Sequence, residues 1–82
     1  MFINKTAEGR NNRCGERIAQ LRTAMGISQR KLADMLQLNG LDIDKNAIQR
    51  IEAGKRFVTD IELVHFSQLF RVSYNDLLGE NE

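Results

Sequence analysis

The sequence predicts an all-α fold, a compact orthogonal bundle of five helices. Three observations carry this reading. Apolar residues recur at three- and four-residue spacing in one segment after another, as they do on the buried face of a helix. Ser, Thr or Asp stands immediately before most of these segments, and Gly closes several of them, the usual signals for helix start and stop. Strand-like alternation occurs only at Leu41-Asp42-Ile43-Asp44, and the chain contains no proline.

Taken in order, the first helix is expected from about Asn12 to Met25. Ile18, Leu21 and Met25 lie on one face, and Gly26 occupies the left-handed position that ends a helix. A second helix starts at Ser28, whose hydroxyl can accept from the free amides of the first turn. Its apolar stripe is Leu32, Met35 and Leu36, and Asn39-Gly40 marks its end. Asp44 is a good N-cap for a third helix through about Ala53, closed by Gly54. Thr59-Asp60-Ile61-Glu62 reads as a capping box, in which Thr59 and Glu62 satisfy each other's backbone amides. Leu63, Phe66 and Phe70 then line one side of the fourth helix. Ser73 caps a short fifth helix carrying Leu77 and Leu78. Helices this short, joined by connections of a few residues, pack as a crossed bundle.

The chain of 82 residues is one domain, at the lower end of what folds without staples. Residues 12–79 are expected to form it, with a disordered arm over 1–11 and a tail over 80–82. For the arm, with Phe2, Ile3, Lys5 and Arg10, a DNA-contacting role or a dimer strand are the other readings. A single cysteine, Cys14, excludes an internal disulfide and suits a reducing cytoplasm. No apolar run approaches the roughly 18 residues of a membrane span, and the first residues lack the apolar core of a signal peptide. The expectation is a cytoplasmic protein with no membrane association.

Net charge is only +1, but it is segregated. Residues 1–31 hold seven Lys/Arg and two acids, a net of +5; residues 32–44 hold three acids and no base. Residues 45–59 hold four bases and one acid, a net of +3, and residues 60–82 one base and five acids, a net of −4. Such patterning points to an anionic partner meeting one face, although a charged helical surface can also segregate without one.

The third helix is where chemistry is concentrated. Ile48 and Ile51 face the core, with Ala47 beside them, and Lys45, Asn46, Gln49 and Arg50 project outward. A major groove accepts one helix, and its N-terminal residues reach the base edges. Arg can pair two-pronged with guanine, Asn and Gln with adenine, and Lys can reach guanine or a phosphate. Gln29 sits at the start of the second helix, where free amides and the positive end of the helix dipole favour a phosphate. Lys55 and Arg56 follow the third helix and can hold the backbone of the other strand. Arg30 and Lys31 are as well explained by surface solubility.

The stretches Ser28-Gln29-Arg30-Lys31-Leu32-Ala33 and Asn46-Ala47-Ile48-Gln49-Arg50-Ile51-Glu52-Ala53-Gly54-Lys55-Arg56 resemble the helix-turn-helix of the phage repressor/Cro family, also called the XRE family. The resemblance runs from about Arg17 to Leu78. It implies a lambda-repressor-like DNA-binding domain acting as a sequence-specific regulator of transcription, a repressor that occupies an operator. It also implies that Lys45, Asn46, Gln49 and Arg50 lie at or near base edges and that Gln29 and Lys55 meet phosphates; Ser28 and Arg56, beside them, are expected at phosphates too. By the same likeness Arg22, near the end of the first helix, pairs with Glu52, near the end of the third. The expected partners are double-stranded DNA and a second copy, in a weak or DNA-induced homodimer. An antitoxin that also binds a toxin, or a protein-interaction module that has lost DNA binding, are the alternatives.

The departure from the family pattern is Gln37-Leu38-Asn39-Gly40-Leu41-Asp42-Ile43-Asp44, several residues longer than a tight turn. Leu41 and Ile43 are expected in the core; Asp42 and Asp44 must point away from DNA or serve as caps. Cys14 and His65 have no second Cys or His with which to build a metal site. With no Gly-rich phosphate loop and no carboxylate pair, neither a cofactor nor enzymatic activity is expected.

Overall fold

The computed structural model describes residues 4–80. Five helices follow one another: α1 (Gly15–Ala24), α2 (Gln29–Leu38), α3 (Lys45–Glu52), α4 (Asp60–Phe70) and α5 (Tyr74–Leu78). Among the described residues there is no strand. The bundle measures 36 × 29 × 21 Å.

Four of the five helix starts follow from local side-chain chemistry. The Ser28 hydroxyl accepts from the Lys31 amide at 3.0 Å, the Asp44 carboxylate from the Ala47 amide at 2.8 Å and the Ser73 hydroxyl from the Asp76 amide at 3.0 Å. Thr59 and Glu62 form the reciprocal box expected of them, at 3.2 and 3.0 Å. Each bond satisfies an amide that the helix itself leaves open.

The first helix departs from the expectation. It begins at Gly15 rather than Asn12, because the Asn12 side chain turns back and its Oδ1 accepts from the Gly15 amide at 2.8 Å. Its other end falls at Ala24, so Met25 lies on the closing turn, 47% exposed, and not on the buried face. Gly26 takes a φ of +71°, as the closing glycine should.

Ile18 of α1, Leu32 and Leu36 of α2, Ile48 and Ile51 of α3, Phe66 of α4 and Leu77 of α5 are all fully buried, so every helix contributes to one core. Leu21, Leu63 and Phe70 pack against it partly buried, and the Phe70 ring stacks on Phe66 with centroids 6.4 Å apart. α2 and α3 pack closely, α1 crosses α3, and α5 bridges α1 and α4. The long α2–α3 connection is anchored as its apolar residues require. Leu41 and Ile43 are buried, and the Gln37 side-chain amide donates to the Ile43 carbonyl at 2.7 Å.

The reading of residues 1–11 as a disordered arm needs correction for its later part; residues 1–3 lie outside the described residues. The Thr6 amide donates to the Arg10 carbonyl, and the Arg10 amide to the Thr6 hydroxyl. The Asn11 amide donates to the Gly54 carbonyl at 2.8 Å. Arg10, Asn11 and Asn12 therefore lie against the end of α3. At the other end of the chain, the Glu80 amide donates to the Asn75 carbonyl, and the Glu80 carboxylate lies 2.9 Å from Arg13.

Candidate nucleic-acid interface

Lys45, Asn46, Gln49 and Arg50 are all exposed on α3. The burial of Ile48 and Ile51 dictates this, since those two residues turn the opposite face of the helix into the core. None of the four side chains makes a hydrogen bond or ion pair with any described residue. Lys45 and Asn46 share a surface groove with Arg30, Asp34, Gln37 and Asp44, so the start of α3 opens onto the side of α2. Asp44 is occupied as the α3 cap, one of the two arrangements that makes its charge compatible with a nearby phosphate.

The end of α3 is held by Glu52. Arg22 clamps its carboxylate two-pronged, Nε to Oε2 at 2.7 Å and Nη2 to Oε1 at 3.0 Å. The third donor, Arg22 Nη1, reaches the Ile27 carbonyl at 2.9 Å. Gln29 completes the cluster by donating its side-chain amide to Glu52 Oε1 at 3.0 Å. One carboxylate thus ties together α1, α2 and α3. The hydrogen bond to Glu52 is the main reason the Arg22 guanidinium is held above its ordinary pKa, with burial opposing it.

The residues expected at phosphates divide into two groups. Lys55 is exposed, and its side chain has no partner among the described residues. Ser28 and Gln29 stand at the start of α2 as expected, but both side chains are engaged, Ser28 in the cap and Gln29 on Glu52. Arg56 departs furthest. It forms a two-pronged pair with Glu62 at 2.9 and 2.8 Å and also donates to the Phe57 carbonyl. That pair, chiefly through the Arg56 hydrogen bonds, pulls the Glu62 carboxyl below its ordinary pKa against the opposing effect of burial. The structure therefore places Arg56 in a brace across the α3–α4 connection. Glu62 stands six residues on, beyond a non-helical segment, so no helical spacing in the sequence marks the partnership.

Cys14 is buried, and burial pushes its thiol up to about 11, which leaves it protonated and unreactive at neutral pH. His65 is half-buried on α4. No helix among the described residues is long and apolar enough to cross a membrane.

What sequence reasoning missed is Arg10, Asn11 and Asn12. Their partners are carbonyls of residues 51–56, and main-chain acceptors leave no trace in residue type.

Comparison with known proteins agrees with the geometry. The family model described as Helix-turn-helix matches residues 18–77, from α1 through α5. Searches of curated proteins and of solved structures gave no significant match. A capped α2, a polar outward face on α3, the Arg22–Glu52 clamp and a family match spanning most of the chain lead to one assignment: the chain belongs to the Cro/C1-type helix-turn-helix family of DNA-binding domains, the XRE family.

Proposed function

We propose that the protein is a sequence-specific regulator of transcription that binds double-stranded DNA with α3 in the major groove and acts as a repressor by occupying an operator. The observation that carries this reading is the state of α3. Four side chains able to pair with base edges stand together, exposed and unengaged, on a helix whose other face is locked into the core. By contrast, Arg10, Arg13, Arg17, Arg22 and Arg56 are each engaged by an intrachain carboxylate. Lys45, Asn46, Gln49 and Arg50 are the proposed base readers. Lys55, Ser28 and Gln29 are the proposed phosphate contacts, Ser28 and Gln29 acting through the free amides at the start of α2.

The protein is further proposed to bind as a weak or DNA-induced homodimer, since readers of this kind address two-fold half-sites. Exposed Phe57, Ile61 and Val64, with Ile61 and Val64 one turn apart on α4, support a protein contact of this sort.

A salt titration tests the reading. Only phosphates neutralised by Lys or Arg enter the salt dependence, and Lys55 with the exposed α3 cations Lys45 and Arg50 gives a slope of log K against log salt of about −3 per protomer. A duplex of any sequence should be bound at low salt and released progressively as salt is raised. Failure to bind any duplex at low salt would overturn the regulator reading.

A further inference from the structure

We propose that residues Arg10 to Gly15, which precede the stretch matched by the family, form a clasp that sets the position of α3 for reading DNA, with Arg10, Asn11 and Asn12 as positioning residues. The inference rests on the regulator reading given above.

The last carbonyls of a helix have no partner within it and must find one elsewhere. Here the chain end before α1 supplies the donors. Arg10 Nη2 reaches the Glu52 carbonyl at 2.9 Å and the Ile51 carbonyl at 3.4 Å. Asn12 Nδ2 reaches the Ile51 carbonyl at 3.0 Å and the Arg56 carbonyl at 2.8 Å. The Asn11 amide takes the Gly54 carbonyl at 2.8 Å, and its side chain the Lys55 carbonyl at 3.1 Å. The guanidinium of Arg10 also places a cation at the negative end of the α3 dipole.

Two glycines make room for this contact. A Cβ on Gly15 would sit 2.1 Å from the Ile51 carbonyl oxygen, and one on Gly54 would sit 2.7 Å from Arg10 Cζ. Because Asn12 Oδ1 also accepts from the Gly15 amide, a single side chain joins the start of α1 to the end of α3.

The consequence for recognition is geometric. Two-pronged pairing with a base edge fails when a helix shifts or tilts. α3 enters from a six-residue connection, 39–44, longer than a tight turn and anchored at Leu41 and Ile43. The clasp adds a constraint at the opposite end. Its bonds go to the backbone of the reading helix and of the segment carrying Lys55, so loosening it moves the readers and leaves their chemistry unchanged.

The test uses the full chain and measures affinity for the preferred duplex and for an unrelated duplex at one salt concentration, at a temperature where each variant is folded. Arg10→Met should weaken the preferred duplex about tenfold, the scale of one mismatched base pair, and the unrelated duplex less than about twofold, with the salt slope on the unrelated duplex unchanged. Arg10→Lys should regain most of the discrimination, because its ammonium can still donate to the Glu52 carbonyl. Asn11→Ala, which removes one partly exposed bond, should act in the same direction but more weakly, and it serves if Arg10→Met does not fold. Unchanged discrimination with a lowered melting temperature would overturn the inference alone, leaving the segment as a stabilising cap. Equal loss on both duplexes with a flatter salt slope would also overturn it, because Arg10 would then be touching phosphate directly. A wild-type chain that binds no duplex would overturn the regulator reading and this inference with it.

Discussion

Glu52 gathers more of the site than any other residue. Its carboxylate receives Arg22 from α1 and Gln29 from α2, with side-chain exposure of only 18% for Arg22 and 9% for Glu52. At that depth removal of either partner strands a charge, which costs about 3–5 kcal/mol. A domain of this size has a total stability on the order of 5 kcal/mol, so Arg22→Met or Glu52→Leu alone should bring it close to unfolding at room temperature. The pair of changes together should recover part of the loss, because no charge is left alone. Recovery should be incomplete, since Gln29 and the Ile27 carbonyl lose their partners as well. Thermal melts of the two single variants and the double variant form the cycle that checks this. Additive losses would mean that the two side chains do not act on each other.

Individual helices divide by how far away their determinants lie. The starts of α2, α3, α4 and α5 were legible because Ser28, Asp44, Thr59 and Ser73 each bond an amide three residues on. The start of α1 was not, since Asn12 answers to carbonyls 39 and 44 residues away. Arg56 is expected at a phosphate; its ion pair with Glu62, which also serves the capping box of the next helix, is not legible in residue spacing. That double role gives α4 a pH response. The Glu62 carboxyl titrates below its ordinary value in the folded protein, so its contribution is present above the unfolded value of about 4.3 and is lost as pH falls through the folded value. Glu62→Gln keeps an acceptor for the Thr59 amide but loses the charge. The wild-type protein should be the more stable above about pH 5, and the difference should shrink as pH falls below about 4. Melting temperatures of the two proteins across pH 3–7 would check this; a gap that stays constant over that range would mean that the Arg56–Glu62 pair contributes no charge effect.

At the scale of the whole molecule, intrachain ion pairs decide which cations remain for DNA. Arg10, Arg13, Arg17, Arg22 and Arg56 are paired with Glu16, Glu80, Asp76, Glu52 and Glu62. Much of the positive charge that the sequence concentrates in residues 1–31 is thereby spent in holding α1 and the segment before it to the rest of the bundle. Lys5, Arg30, Lys31, Lys45, Arg50, Lys55 and Arg71 have no ion pair among the described residues, and five of these, Arg30, Lys31, Lys45, Arg50 and Lys55, lie on or just beyond α2 and α3. The charge pattern in the sequence thus pointed to an anionic partner, but only the pairing in the fold shows which cations stay unspent. The central claim is that the outward face of α3 reads bases, and selection from randomised duplex DNA tests it most directly. The wild-type chain should enrich a defined motif arranged as two-fold half-sites. Arg50→Ala and Gln49→Ala should each lose about 1–3 kcal/mol on that motif and relax one base position, whereas Lys55→Ala should weaken all sequences about equally and flatten the salt slope by about one unit. A wild-type chain that enriches no motif, or an Arg50→Ala variant that selects the wild-type motif unchanged, would contradict the account.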